Sequence, residues 1–303
     1  MSLSVAPQIV DALSRAQPVV ALESTVITHG LPHPRNLELA EELEAQIRER
    51  GAVPATVAVL KGKLVVGASL EDLEELAGSD AQKASLWNLG SLLAQGASAG
   101  TTVATTMHAA AAAGIEVFAT GGIGGVHQRP FDESADLSAL SRYPVLTVCA
   151  GPKSILDQAA TLERLETLGV PVVGYRSRHL AGFHVRETEL PLPATFDRPE
   201  GIAAAFRRHR ELGLQGGMLV SNPVSEGLAQ DELGSYRSEA EREASEAGVH
   251  GRDLTPFLLG RLAELSSGRT VEVNLRLLRE NASLAARLAA ALQLPRPLGA
   301  LDE

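Results

Sequence analysis

Short apolar runs alternate along the chain with stretches of helical periodicity, and this alternation predicts an α/β fold. The runs at 115–120 and 144–150 are rich in β-branched residues and apolar on both faces, as in strands buried on both sides of a parallel sheet. A run of helical character follows the second of them, at 154–169. Residues 55–68 predict a β-hairpin instead, because two apolar stretches flank a short turn that contains Gly62.

Residues 18–28 predict a further buried strand, which carries a single carboxylate, Glu23, in its middle. Burying a lone carboxylate is costly unless the group is paired or protonated. Two interpretations therefore stay open. Glu23 either forms a salt bridge near a strand end, or it serves as a general acid or base with a raised pKa.

Polar residues follow the two buried runs at the points where each run ends. Gly121 begins a glycine-rich stretch after the first run, and Lys153 follows the second on a Gly-Pro turn. Ligands of α/β proteins bind outside the carboxyl ends of the strands, so we place a candidate active site here. The glycine stretch lacks the third glycine and the following helix of a dinucleotide-binding motif. We interpret it as a backbone loop that lies close to a small polar ligand.

Lys153 and Glu23 together suggest Schiff-base chemistry. A desolvated lysine that has lost its proton can attack an electrophilic carbon, and it needs a partner that moves protons. Glu23 is the best candidate for that partner. The residue pattern by itself thus predicts a lysine-dependent lyase or a sugar-handling enzyme.

Asp132, Ser134 and Asp136 occupy alternate positions and allow two interpretations. Ser134 could cap the N-terminus of a helix, where the helix dipole would favour Asp136. The same residues could instead bind a hard cation such as Mg²⁺ or Mn²⁺ that keeps most of its waters. Taken alone, Lys83 is interpreted as a surface lysine and Asn274 as a buried amide that bonds to the backbone.

The composition restricts the class of protein. The 303-residue chain has 45% hydrophobic but only 3% aromatic residues, which indicates an aliphatic α/β interior. No repeat or linker divides the chain, so we expect a single domain over 1–303 with its core at about 18–292. A net charge of −10 argues against nucleic-acid binding.

The same composition gives expectations for the compartment. No apolar run approaches the ~18 residues of a membrane span, and the N-terminus lacks the layout of a signal peptide. The single cysteine, Cys149, lies in an apolar run, where we expect it to be inert. A single cysteine excludes a disulfide framework within the chain, and the lack of such a framework is typical of a cytoplasmic protein.

Several longer motifs resemble those of the pseudouridine-5′-phosphate glycosidase family, which includes indigoidine synthase A-like proteins. The matching segments include VALESTVITHGLPHP, EVFATGGIGGVH, FDESADL and VCAGPKSILD, and they extend in the family's order from about residue 18 to about 285. The resemblance implies reversible cleavage of pseudouridine 5′-phosphate to uracil and ribose 5-phosphate. Lys153 would be the nucleophile that forms an imine with C1′, and Glu23 would be the proton donor to the uracil carbon.

The resemblance also assigns the other site residues. Asp132 would bind one Mn²⁺ ion whose remaining ligands are mostly water. The substrate-binding positions would be Lys83, Val103, Thr120, His127, Ser134, Ala135, Asp136 and Asn274. The implied fold has three layers, α/β/α, around a large mixed, mainly parallel sheet, and the implied assembly is a homotrimer.

Two segments depart from the family pattern. The chain has SLWNL at 85–89 where the family has SRRDL, and it has a short HQRP segment at 127–130 in place of a longer loop. We expect these changes to affect phosphate binding, metal affinity or assembly. For Trp87 we expect core or interface packing, with a reshaped pocket as the alternative. Two rival functions stay open: glycosidase action on another C-nucleotide, and binding of a sugar phosphate without efficient catalysis.

Overall fold

The computed structural model describes residues 2–79, 81–127, 132–250 and 254–294, and the structural statements below refer to these ranges. The strands are β1 (Leu3–Val5), β2 (Val19–Leu22), β3 (Val53–Leu60), β4 (Lys63–Val66), β5 (Gln82–Ala84), β6 (Ala99–Thr101), β7 (Val117–Ala119), β8 (Leu146–Cys149), β9 (Val172–Tyr175), β10 (His179–Gly182), β11 (Val185–Pro191), β12 (Ala194–Phe196) and β13 (Met218–Ser221). The helices are α1 (Pro7–Ser14), α2 (Thr25–His29), α3 (Arg35–Glu49), α4 (Leu70–Ala77), α5 (Leu89–Ala94), α6 (Val103–Ala113), α7 (Ala135–Arg142), α8 (Gln158–Thr167), α9 (Pro199–Glu211), α10 (Gln230–Glu246), α11 (Leu254–Leu265) and α12 (Arg269–Gln293).

Within the described ranges, eleven strands form one mixed sheet that is mainly parallel. Nine of them follow the order β1-β4-β3-β2-β7-β8-β13-β9-β12, while β6 pairs with β3 and β5 pairs with β6. The antiparallel pairs are β3 with β4 and β3 with β6. The two runs that the sequence predicts as buried strands, β7 and β8, are parallel neighbours. The prediction of a mixed, mainly parallel sheet is confirmed.

Helices cover both faces of the sheet and give three layers, as predicted. Along β2 the side chains alternate, so that Val20 and Leu22 join a cluster with α3, α9 and α12 on one face. Val19 and Ala21 join the cluster with α1, α6, α7 and α8 on the other face. Because both faces are covered, the central strands are apolar throughout.

Local signals in the sequence set the predicted hairpin turn and a helix cap. At the hairpin between β3 and β4, Lys61 and Gly62 have φ values of 48° and 79°. Two positive φ values belong to the tight turns that match the twist of paired strands. At the start of α4, the Asp72 N–H donates to Ser69 Oγ at 3.2 Å and the Ser69 N–H donates to Asp72 Oδ2 at 2.9 Å, forming a capping box.

The predicted strand at 18–28 is shorter than its apolar pattern suggests. β2 ends at Leu22, and α2 begins at Thr25. The Thr101 N–H donates to Ser24 Oγ at 2.9 Å and the Thr25 hydroxyl donates to the Thr101 carbonyl at 2.7 Å. These side-chain bonds replace strand pairing and turn the chain. Glu23 therefore lies at the carboxyl end of β2, not in the middle of a strand.

Two single residues test further expectations. Trp87 is 83% exposed in the single chain, so it does not pack in the core, and interface packing stays a prediction. Cys149 is fully buried, and burial raises the pKa of its thiol to about 12, which agrees with an inert cysteine. Among the described residues, no helix is both long and apolar enough to cross a membrane.

Candidate active site

A pocket opens at the carboxyl ends of β2, β7 and β8, where the sequence places the candidate site. Its volume is about 100 Å³, and its lining includes Glu23, Lys83, Gly121, Lys153 and Asn274. Three separate segments bring the charged groups here: the residue after β2, the strand β5 and the turn after β8. Parallel strands end at the same edge of a sheet, which explains why distant parts of the chain converge.

Close packing and hydrogen bonds fix the backbone of the turn that carries Lys153. Gly151 has a φ of +88°, and a Cβ at this position would lie 2.1 Å from the Ala181 carbonyl oxygen, so only glycine fits. The Lys153 N–H donates to the Ile123 carbonyl at 3.1 Å. Ser154, the next residue, is buried and hydrogen-bonds through Oγ to His184 Nδ1 at 2.8 Å. The backbone of the turn is therefore fixed while the lysine side chain stays half-buried in the pocket.

The surroundings of the Glu23 carboxyl group act on its pKa in opposing directions, and burial has the largest effect. Its side chain is half-buried, with one part lining the pocket and the carboxyl group packed among protein atoms. Burial raises the pKa of Glu23 above its ordinary value, and the charge of Lys153 and a hydrogen bond from Thr120 oppose that rise. Thr120 is buried, and its hydroxyl donates to Glu23 Oε1.

Lys83 adds a second ammonium group to the same pocket. It lies on β5, is half-buried, and its carbonyl accepts a hydrogen bond from Asn88 Nδ2 at 3.1 Å. The charge of Lys83 lowers the pKa of Glu23, which shows that these groups act on one another. Two lysine side chains, beside a carboxyl group whose protonated form is favoured by burial, suit an anionic ligand.

Asp136 holds the glycine-rich loop against the start of α6. Its carboxylate is 6% exposed and accepts the Ala104 N–H at 3.0 Å and the Gly124 N–H at 2.8 Å. Ser134 caps α7, as the helix-cap interpretation predicted, and its Oγ accepts the Asp136 N–H at 3.2 Å. Both Asp136 oxygens are thus engaged by backbone N–H groups.

The remaining predicted substrate positions surround this loop. Val103 is buried at the first residue of α6, whereas Ala135 is exposed at the first residue of α7. His127 lines a neighbouring groove of about 160 Å³ with Ile155 and Leu258, and it is not among the residues that line the Lys153 pocket. The rest of the HQRP segment, 128–130, lies outside the described residues.

The predicted metal ligand, Asp132, is half-buried, and its carbonyl accepts the His127 N–H at 2.9 Å. The described residues contain no group of three or more His, Cys, Asp or Glu side chains that could hold a metal ion. A site with few protein ligands fits a hard cation such as Mn²⁺ that keeps water ligands, and Asp132 could supply one carboxylate to it.

Three residues near the site were not singled out from the sequence. Asn281 and Asn222 are buried and hydrogen-bond each other at 2.9 Å, and His184 lies behind Lys153. A polar residue on the apolar face of α12 is the signal that could have found Asn281. The buried amide that bonds backbone, the interpretation given to Asn274, is in fact Asn281, seven residues further along.

Comparison with known proteins places this chain among close relatives. A family model described as "Indigoidine synthase A like protein" matches residues 8–291. The pseudouridine-5′-phosphate glycosidase of Thermus thermophilus is 59% identical over 276 residues, which cover 91% of this chain and 98% of that protein.

Two solved structures share the fold along nearly their whole length. The prealnumycin C-glycosynthase AlnA, solved in complex with ribulose 5-phosphate, superposes with a TM-score of 0.90 at 38% identity and covers 96% of this chain and 97% of that one. An indigoidine synthase A-like protein of Thermotoga maritima gives a TM-score of 0.89 at 36% identity, with the same coverage. Together with the family model, these similarities show that the chain belongs to the indigoidine synthase A like protein family.

Proposed function

We propose that this chain catalyses the reversible cleavage of the C–C glycosidic bond of pseudouridine 5′-phosphate to uracil and ribose 5-phosphate. The observation that carries the proposal is the shared pocket of Glu23 and Lys153, where a buried carboxyl group lies beside a lysine at the strand ends. The Thermus thermophilus relative, 59% identical, is named for this activity. The structural neighbour that is a C-glycosynthase was solved with a sugar phosphate.

Lys153 provides the nucleophile. Its neutral amine forms a bond to C1′ while the C1′–O4′ bond breaks and the ring oxygen takes up a proton. As the C1′–C5 bond breaks and its electron pair leaves with C5, the nitrogen lone pair forms the C=N bond of an iminium and supplies the electrons that C1′ loses. Water hydrolyses the imine, releases ribose 5-phosphate and restores the lysine.

Glu23 provides the proton for the departing base. As the C1′–C5 bond breaks, its electron pair goes to C5 of uracil, and that carbon must receive a proton because a free carbanion is a poor leaving group. Burial raises the pKa of Glu23, so the carboxyl group holds a proton at a pH where an exposed glutamate would have lost it. Thr120 fixes the orientation of that carboxyl group through its hydrogen bond.

The phosphate and the base would be held by the other pocket groups. Lys83 supplies a positive charge for the phosphate. Asn274 presents an amide to the pocket from α12. Asp136, with both oxygens engaged by backbone, acts by shaping the glycine-rich loop.

Asp132 would hold Mn²⁺ with water completing its coordination. When bound, the ion would supply positive charge for the phosphate group. The half-buried Asp132 is compatible with this chemistry. For assembly and location we propose a homotrimer in the cytoplasm, on the strength of the family resemblance.

Release of uracil from pseudouridine 5′-phosphate, followed by chromatography, tests the reaction directly. The C-glycosynthase neighbour favours one alternative, in which another C-linked group takes the place of uracil. A panel of C-nucleotides separates the two: fastest cleavage of pseudouridine 5′-phosphate supports the proposal, and a faster competitor supports the alternative. Binding of ribose 5-phosphate with no cleavage of any nucleotide would indicate a binding protein.

A further inference from the structure

Asn281 is a fully buried amide whose two ends are both hydrogen-bonded. Its Nδ2 donates to the Thr120 carbonyl at 2.8 Å and to the Gly121 carbonyl at 3.3 Å, and its Oδ1 accepts Asn222 Nδ2 at 2.9 Å. Asn222 in turn donates its N–H to the Cys149 carbonyl at 2.9 Å. The pair therefore ties the ends of β7, β8 and β13 to helix α12.

Burying an amide at this position costs free energy unless all of its polar atoms are hydrogen-bonded. Its neighbours on α12, Leu277, Ala282 and Leu284, are buried apolar residues, and an apolar side chain would pack there without a polar group to satisfy. A buried polar network that is fully satisfied fixes the groups it joins in one arrangement. The feature that Asn281 fixes is the segment directly after β7, which enters the active site.

The network fixes Thr120 from both sides. The Thr120 N–H donates to the Val148 carbonyl at 3.0 Å, and the Thr120 carbonyl accepts from Asn281. With its main chain held at both groups, the Cα–Cβ bond of Thr120 has a fixed direction, and the Thr120 hydroxyl donates to Glu23. Asn281 thus connects to Glu23 through a single intermediate residue.

The same contacts set the position of α12 where it lines the pocket. Asn274 and Leu278 line the pocket, and Asn281 lies seven residues, or about two turns, beyond Asn274 on the same helix face. A Cβ on Gly121 would lie 3.2 Å from Leu278 Cδ2 and 3.4 Å from Asn274 Oδ1, so the helix packs closely on this glycine. Losing the Asn281 bonds would loosen the contact between α12 and the segment after β7.

We propose that Asn281, supported by Asn222, is a positioning residue for proton transfer by Glu23 and acts through Thr120. The proposal rests on the function proposed above. It differs from a purely structural role because it assigns the effect of Asn281 to the step that breaks the C–C bond. Attack by Lys153 should depend on this amide much less, because the Lys153 turn has its own supports in the bond from the Lys153 N–H to the Ile123 carbonyl and the bond between Ser154 and His184.

The test is a double-mutant cycle of Asn281→Leu and Thr120→Val, with Leu288→Ala as a control that weakens α12 packing away from the amide. We expect Asn281→Leu to lower kcat about 10- to 100-fold, as a misplaced catalytic group does. Imine trapping with ribose 5-phosphate and borohydride should proceed close to the wild-type rate. The double variant should be no slower than Thr120→Val, because both changes remove one interaction.

The pH profile supplies a readout that packing alone would not change. Since the Thr120 hydrogen bond lowers the pKa of Glu23, its loss in Asn281→Leu should move the titration of Glu23 to higher pH. Leu288→Ala should leave the profile unchanged. An additive double variant, an unshifted profile, or equal losses of trapping and cleavage would each overturn the proposal.

Two further measurements keep the proposal testable. If Asn281→Leu does not fold, Asn281→Asp retains the acceptor for Asn222 but removes the donor, and the same predictions apply. If the wild type neither traps ribose 5-phosphate nor cleaves nucleotides, the proposed function fails by itself. Carboxyl ¹³C NMR then still follows Glu23, and an unchanged titration midpoint in the variant overturns the positioning role.

Discussion

Ser154 Oγ and His184 Nδ1 lie 2.8 Å apart in the buried layer directly behind the reactive lysine. His184 is 3% exposed, and its ring packs edge-on against the ring of Phe183, which lines the pocket. Burial lowers the pKa of His184 to about 3, so the imidazole stays neutral wherever the protein is folded at ordinary pH. A neutral ring can keep the hydrogen bond to Ser154 and hold the Lys153 turn in place.

The first prediction concerns stability at acidic pH. Below about 6.5 the unfolded His184 takes up a proton, whereas the folded one does so only near 3, so the unfolded state binds more protons in this window. His184 therefore contributes a loss of about 1.4 kcal/mol per pH unit as the pH falls between these values. His184→Asn, which can retain the bond to Ser154, should show a shallower decline. Urea unfolding at several pH values measures this, and equal slopes would contradict it.

The second prediction concerns the pH dependence of activity. The acid form of Glu23 is the active one, so cleavage should fall as the pH rises through its raised pKa. In Thr120→Val that pKa rises further, because the hydrogen bond that lowers it is lost, and the alkaline limb of kcat should move to higher pH. Thr167→Val, on the exposed end of α8, is the control. A shift of the alkaline limb of kcat to lower pH would contradict the role of Glu23 as the proton donor.

The third prediction concerns phosphate recognition by Lys83. Lys83→Gln should raise KM for pseudouridine 5′-phosphate about 10- to 100-fold, which corresponds to the free energy of one charge-assisted hydrogen bond. Unphosphorylated pseudouridine should react equally slowly with the variant and the wild type. Lys61→Gln, at an exposed lysine paired with Glu75, provides the matched control. A similar loss for both substrates would mean that Lys83 does not bind the phosphate.

The fourth prediction concerns the metal. Asp132→Ala should lose Mn²⁺ binding measured by electron paramagnetic resonance, and Asp11→Ala, at an exposed position, should retain it. Chelation should lower activity, and added Mn²⁺ should restore it. Retention of Mn²⁺ by Asp132→Ala would remove this residue from its assigned role.

The sequence predicts the local features well because their causes are local. The capping box of Ser69 and Asp72 and the glycine-containing turn at Gly62 depend on neighbouring residues. The parallel pairing of β7 with β8 follows from apolar runs that need cover on both faces. The layered arrangement itself comes from the family resemblance and agrees with the structure.

The parts that the sequence missed depend on distant contacts. The strand end at Leu22 is set by bonds from Ser24 and Thr25 to Thr101, which no local pattern shows. Asn281 contacts Thr120 across 161 positions in the sequence. Polar residues on apolar helix faces mark such contacts, but the partner emerges only from the fold.

The central claim is covalent catalysis by Lys153, and the most direct measurement is the intact mass of the protein after incubation with ribose 5-phosphate and borohydride. The account predicts one sugar-phosphate adduct on the wild type and on Glu23→Gln, and none on Lys153→Ala. Lys61→Gln should behave as the wild type does. An equal adduct on Lys153→Ala, or no adduct on a folded, Mn²⁺-supplied wild type, would contradict the account.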